Sequence, residues 1–239
     1  MSDPLRIGFV VEGPADFVML ESIAGQLLGG REYESVAIQP LLSDAFASVN
    51  GGGWTEVYFW CRQTAEQAGG RVGNDALFNS FDMLVVQVDA DVAEKRYGDD
   101  QRITNAPNDL PCNQTCPPAS ASTNKLRQVM LGWMGEAATP AKTVRCTPSK
   151  ALETWVLLAL FPQNQISRSA NLECRANPDA QLKAQPLARR LIRGGKKDIG
   201  KYRDLAGHMA AAWPAVRLRC TEAERFSLEF AAATPPPAQ

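Results

Sequence analysis

The chain alternates short, almost wholly apolar runs with longer stretches in which apolar residues recur every three or four positions. Leu5 to Val11 is β-branched and apolar and is bounded by Glu12-Gly13-Pro14, which predicts a buried strand. Ala15 to Leu28 places Phe17, Leu20, Ile23, Ala24, Leu27 and Leu28 at helical spacing, and Gly29-Gly30 stops it. Ser35 to Leu41 reads as a second strand, and a helix is expected between Gly51-Gly52-Gly53 and Gly69-Gly70. Met83 to Val88 is another buried strand, ending at Asp89-Ala90-Asp91. Residues 97–120, rich in Asp, Asn and Pro, read as a long loop. Ser122 to Glu136 is expected to be helical and Thr143 to Cys146 a short strand. Leu152 to Leu160 reads as a buried helix entered through Thr147-Pro148, with Pro at the first helical position after a Thr cap. The remainder is mostly helical in pattern, and Pro235-Pro236-Pro237 predicts a disordered tail.

Strands that are nearly all apolar and alternate with helices predict a parallel sheet covered on both faces, the α/β class. With 239 residues, 45% of them hydrophobic, the chain is long enough for a sizeable core. The longest strictly apolar run, Trp155 to Phe161, falls far short of the ~20 residues a membrane span needs. Met-Ser-Asp-Pro-Leu-Arg runs directly into the first strand and leaves no room for a signal peptide. The expectation is a soluble, cytoplasmic protein with no membrane partner.

The formal net charge of −1 hides an asymmetry. Residues 1–111 hold 17 acids and 7 bases, a balance of −10, while residues 112–239 hold 9 acids and 18 bases, a balance of +9. The excess peaks where Lys183, Arg189, Arg190, Arg193, Lys196, Lys197, Lys201 and Arg203 face only Asp198. Such a segment is either a solvated face or a surface for polyanions, since clustered Lys and Arg attract phosphates.

The single histidine, His208, excludes chemistry that needs two imidazoles, and no G-x-S-x-G elbow accompanies it. Cys112 and Cys116 form a C-x3-C pair, half of a zinc site, but no second pair completes it. Structural zinc there is disfavoured against free thiols or a loop disulfide.

The chemistry is expected at the strand ends, because sites in open α/β sheets form outside the carboxyl ends of the strands. Glu12 follows the first strand, and Asp89 and Asp91 follow the strand at 83–88. If the two strands are neighbours, three carboxylates converge at one rim. In an extended stretch Asp89 and Asp91 would point the same way. Packed carboxylates repel unless a cation joins them, and a hard ion such as Mg²⁺, or Mn²⁺ in its place, prefers oxygen ligands. The competing reading is that acids after strands are ordinary turn residues.

Phe9-Val-Val-Glu12-Gly13-Pro14-Ala-Asp16, followed by a helix and later by Val86-Gln-Val-Asp89-Ala-Asp91, resembles the TOPRIM domain of topoisomerases, primases and OLD-type nucleases. The closest likeness is to small stand-alone bacterial TOPRIM-like proteins. It extends to Pro148-Ser-Lys-Ala-Leu-Glu153-Thr-Trp155 and, more faintly, to Lys196-Lys197, Tyr202 and Cys220-Thr-Glu-Ala-Glu-Arg-Phe226. The resemblance implies a TOPRIM-like α/β domain over residues 1–160, a helical basic extension over 161–230 packed on it, and a tail over 231–239. It implies that Glu12 is a general acid/base or metal ligand, and that Asp89 and Asp91 hold Mg²⁺. Glu153 would complete the metal shell, Gly13 would let the backbone turn beside the acid, and Lys196 or Lys197 would stand near the scissile phosphate. Topoisomerases often carry a third acid two residues after the pair, where this chain has Ala93 with Glu94 one step later. No candidate tyrosine in a recognisable cleavage domain and no preceding zinc module point to topoisomerase or primase.

These readings converge on an Mg²⁺-dependent nuclease or phosphodiester-transfer enzyme acting on DNA or RNA, with Arg189, Arg190, Arg193 and Lys201 holding the backbone. The resemblance further implies an ATPase partner and a role in phage defence; the chain itself has no G-x-x-x-x-G-K-[ST] loop. The alternative is a TOPRIM-like interaction module without catalysis. A D-x-D phosphatase or glycosyltransferase ranks third, since the pair sits late in the chain for the former and Glu12-Gly13-Pro14 is unexplained by the latter.

Overall fold

The computed structural model describes residues 4–40, 52–175 and 177–236. Four parallel strands form the sheet: β1 (Leu5–Val10), β2 (Tyr33–Gln39), β3 (Met83–Gln87) and β4 (Thr143–Cys146), in the order β2-β1-β3-β4. Helices α1 (Pro14–Leu28), α2 (Trp54–Gln67), the short α3 (Leu77–Ser80) and α4 (Ser120–Trp133) connect them. After β4 come α5 (Glu153–Leu160), α6 (Pro178–Lys183), a hairpin of β5 (Ile192–Arg193) and β6 (Lys196–Lys197), then α7 (Ile199–Arg217) and α8 (Thr221–Ala233).

The apolar strand runs exist because both faces of the sheet are covered. Ile7, Phe9, Met83, Val85 and Val144 pack beneath α1, α5, α7 and α8, whereas Val10, Leu84 and Val86 pack beneath α2 and α4. Neighbouring strand residues thus feed opposite cores, the period-two geometry of a buried strand. The core on the α1 side takes in Trp155 and Leu157 together with Tyr202, Met209, Trp213 and Phe226, so it is continuous across residue 160. Among the described residues, no helix is long and apolar enough to cross a membrane.

Four expectations change. Pro148 does not begin a helix: residues 147–152 stay irregular, with Lys150 in the left-handed region at φ 63°, and α5 starts at Glu153. After a 3₁₀ turn at Leu187–Arg189, residues 192–197 form a hairpin, whose two-residue strands are too short to leave a periodic signature. α8 continues to Ala233, into the stretch expected to open the tail. Cys116 pairs with Cys174, 58 residues away, while Cys112 is free, so the disulfide is long-range and does not close within the C-x3-C pair. Leu41 of the expected second strand, Gly51, and residues 237–239 of the tail lie outside the described residues.

Candidate functional site

The chain leaves β1 for β2 on one side and returns to place β3 on the other, so strand order reverses between β1 and β3. The crevice outside the carboxyl ends at such a reversal is where open α/β sheets bind ligands. β1 and β3 are direct neighbours with Val10 opposite Val86, which brings Glu12 and Asp89 out side by side.

A closed ring of hydrogen bonds joins the two acids. The Glu12 N–H donates to Gln87 Oε1 (3.1 Å), Gln87 Nε2 donates to Asp89 Oδ1 (2.8 Å), and the Asp89 N–H donates to Glu12 Oε1 (2.7 Å). Asp89 Oδ1 also accepts from the Leu152 N–H (3.0 Å), tying in the loop ahead of α5. Each carboxylate spends one oxygen on this frame, and both residues line a cavity of about 470 Å³.

Asp91 reaches the same cavity by another route than strand alternation. Residues 90–94 turn into a 3₁₀ helix immediately after Asp89, which ends the period-two geometry. Asp91 pairs instead with Lys95, one turn on, at 3.2 Å. Beside that pair, Lys150 binds Glu94 at 2.6 Å. Gly13 caps α1 at φ −159°, extended backbone that any residue adopts, so the expected turning role gives way to a steric one. A Cβ there would stand 3.1 Å from Asp16 Oδ2. Gly52 has the stronger requirement: a Cβ would stand 2.7 Å from the Glu12 carbonyl oxygen, which already accepts from the Gly53 N–H.

Behind the ring lies a second layer. Lys197, carried in by the hairpin, bridges Asp16 Oδ1 (3.1 Å) and Glu153 Oε1 (2.6 Å), and the Tyr202 hydroxyl donates to the same Glu153 oxygen (3.2 Å). Asp16 and Glu153 are 2% and 1% exposed, so this is a desolvated pair of acids sharing one ammonium. Burial alone would oppose the charge on Lys197, but Asp16, Glu153 and Asp89 outweigh it and raise its pKa well above the lysine range. Asp16 and Asp179 are likewise raised, chiefly by burial.

The two front acids carry the larger perturbation. Burial, reinforced by Asp16 and Asp91, pushes Glu12 up to about 8, and the Asp89 N–H offsets part of this. Burial followed by the charges of Glu12, Asp16 and Glu153 raises Asp89 well above the carboxylate range. Asp91 is raised by burial and pulled back by Lys95. Because Oε1 of Glu12 accepts the Asp89 amide, Oε2 is the oxygen left open to a proton or a ligand.

The sign of the resulting pH dependence follows from linkage. An acid whose folded pKa is raised binds more protons when folded, so stability falls as pH rises from its unfolded value through the folded one. The metal-free chain is therefore expected to melt at progressively lower temperature between about pH 4.5 and about pH 8. Were the site to hold Mg²⁺, the ion would recover part of that loss at pH 8 and little at pH 5, as thermal melts with and without it would reveal. A melting temperature that rises over this window would mean that Glu12 titrates normally.

Among the described residues, no cluster of three or more His, Cys, Asp or Glu stands in metal-binding geometry. The donors nonetheless fit Mg²⁺ in kind. That ion keeps several waters and is held by one or two carboxylates plus substrate phosphates. Asp89 Oδ2 and Glu12 Oε2, the two oxygens outside the ring, are the atoms that could serve as such a pair. Asp91 becomes a third donor only when released from Lys95. Accordingly, Lys95→Ala would strengthen Mg²⁺ binding by about twofold, since an exposed i,i+4 pair is worth ~0.3–0.5 kcal/mol. Calorimetry on the metal-free chain decides; weaker binding would place Lys95 on the ion's side of the site.

The remaining expected site residues divide. Glu153 and Lys197 line the cavity, whereas Lys196 is exposed on the hairpin and does not. Lys201 Nζ donates to the carbonyls of Leu187, Ala188 and Arg190, which uses all three of its protons to hold that segment. Arg190 and Arg193 donate to the Gln185 and Leu187 carbonyls, and Arg189 lies over the Phe161 ring at 5.9 Å. Arg189, Lys201 and His208 line a separate cavity of about 310 Å³ at the far end of α5 from Glu153. The axial separation along α5 is about 10 Å.

Sequence reasoning missed Gln87, Asp16, Asp179, Lys95 and Lys150, all within this site. Gln87 had a visible signal, a lone amide in an apolar strand; Asp16 had one too, an acid among apolar helix neighbours. No family model, no curated protein and no solved structure matches the chain.

Proposed function

We propose that the chain is an Mg²⁺-dependent nuclease or phosphodiester-transfer enzyme built on a TOPRIM-like α/β domain. One observation carries the reading: Glu12 and Asp89, each with one carboxylate oxygen outside the ring, meet at the crevice where strand order reverses. Asp89 and Glu12, joined by Asp91, would hold the ion, which when bound polarises a phosphate and lowers the pKa of a coordinated water. Glu12, raised to about 8 in the metal-free chain chiefly by burial, would have to give up that proton to hold the ion, so Mg²⁺ should bind more tightly as pH rises towards 8. Lys95, Lys150 and Lys183 rim the cavity and supply positive charge to a phosphate backbone. Among the described residues the cavity lining includes no aromatic ring, which favours recognition through phosphates over base stacking. The TOPRIM resemblance extends the proposal to an ATPase partner and to phage defence.

A second reading, a non-catalytic interaction module, draws on the pairing of Asp91 with Lys95 and of Glu153 with Lys197, which already neutralises half of the acids. Purified protein with Mg²⁺ or Mn²⁺ against plasmid, single-stranded DNA and RNA separates the two. Cleavage that disappears in Asp89→Asn supports the enzyme. Absence of both cleavage and calorimetric Mg²⁺ binding supports the module.

A further inference from the structure

β3 ends in a residue that its surroundings disfavour. Gln87 is polar where Met83, Leu84, Val85 and Val86 are apolar, and it is fully buried. A buried amide without partners costs about 1–3 kcal/mol, so a strand of this kind takes an apolar residue unless the amide has a task. Both ends of Gln87 are engaged, and the partners fix which end is which. A main-chain N–H only donates, so the Glu12 amide requires Oε1, and this leaves Nε2 as the end that donates to Asp89 Oδ1. The amide thereby spans the two strands at the point where strand order reverses.

We propose that Gln87 is a positioning residue that presents Glu12 and Asp89 as a pre-aligned pair of cation ligands, an inference that rests on the metal-binding reading of those acids. Without the Nε2 donor, Asp89 Oδ1 keeps only the Leu152 amide and the carboxylate regains rotation about its terminal bond. Without the Oε1 acceptor, the Glu12 N–H is left unpaired and the main chain beside the acid loses its tie to β3. Partners that orient metal ligands typically contribute 10–100-fold in metal affinity.

The test is Gln87→Met, which keeps length and apolar fit while removing both hydrogen bonds. Calorimetric titration of the metal-free protein with MgCl₂ should show binding at least about tenfold weaker than in the unsubstituted chain. A purely structural role would lower the melting temperature and leave the affinity of the folded protein unchanged; that outcome overturns the proposal. Should Gln87→Met fail to fold, amide hydrogen exchange on the unsubstituted chain still decides. The Glu12 and Asp89 amides should exchange as slowly as those of Val85 and Val86, and fast exchange of either one overturns the ring on which the proposal stands. If the unsubstituted chain binds no Mg²⁺ while both amides are protected, the ring stands and the positioning role assigned to Gln87 falls with the metal reading.

Discussion

Replacing Lys197 with Met is expected to destabilise the chain by about 3–5 kcal/mol at pH 8, the cost of removing one partner from a buried ion pair. The side chain is the shared counter-ion of Asp16 and Glu153, both almost completely excluded from water. Its removal leaves two carboxylates in a low-dielectric site with the Tyr202 hydroxyl and main-chain groups as their remaining partners. The variant has one escape, protonation of the acids, so its deficit should shrink as pH falls towards 5. Adding Asp16→Asn and Glu153→Gln should recover most of the loss, because a neutral hydrogen-bonded cluster no longer needs the ammonium. Urea unfolding at pH 5 and pH 8 measures all four quantities. A deficit under about 1 kcal/mol that is independent of pH would mean the triad is solvated and behaves as a surface pair. The stakes extend beyond stability, since Lys197 ties the C-terminal hairpin to α1 and α5 at the back of the site.

The parts of this architecture that were legible in the sequence are those set by local pattern. Apolar runs announced β1 and β3 because strands covered on both faces exclude most polar residues, and Glu12 and Asp89 were visible because they interrupt that rule at strand ends. What pattern could not show was adjacency. That β1 and β3 are neighbours, that Lys197 travels 181 positions to reach Asp16, and that Cys116 meets Cys174 are products of tertiary packing. The Asp89-Ala90-Asp91 geometry failed for a different reason: strand alternation was extended one residue past where the chain turns into a 3₁₀ helix. The basic stretch was legible as charge, yet much of that charge is spent internally, as the three carbonyls around Lys201 show.

Asp89→Asn is expected to abolish metal-dependent cleavage and to leave the metal-free fold at least as stable as the parent. Asparagine is isosteric, and its Oδ1 can accept from Gln87 Nε2 and the Leu152 N–H as the carboxylate does. The ring therefore closes in the variant, and the change is confined to one charge. That charge is unfavourable where it stands: burial and the neighbouring Glu12, Asp16 and Glu153 all raise the Asp89 pKa. The gain in stability should consequently grow with pH, being small where Asp89 is already protonated and largest at alkaline pH, where the parent must ionise it. The Glu12 pKa should stay near 8, because its rise comes from burial, Asp16 and Asp91 and the Asp89 main-chain N–H is unchanged. Function should move the opposite way, since replacing one of the two ligand oxygens by an amide nitrogen removes a hard donor that Mg²⁺ requires. Calorimetry should show Mg²⁺ binding at least about tenfold weaker, and thermal melts at pH 6 and pH 9 should show the variant equal to the parent at the lower pH and above it at the higher. A variant that melts well below the parent at both pH values would make Asp89 a structural residue, and the acids at the crevice would lose their claim to be a site.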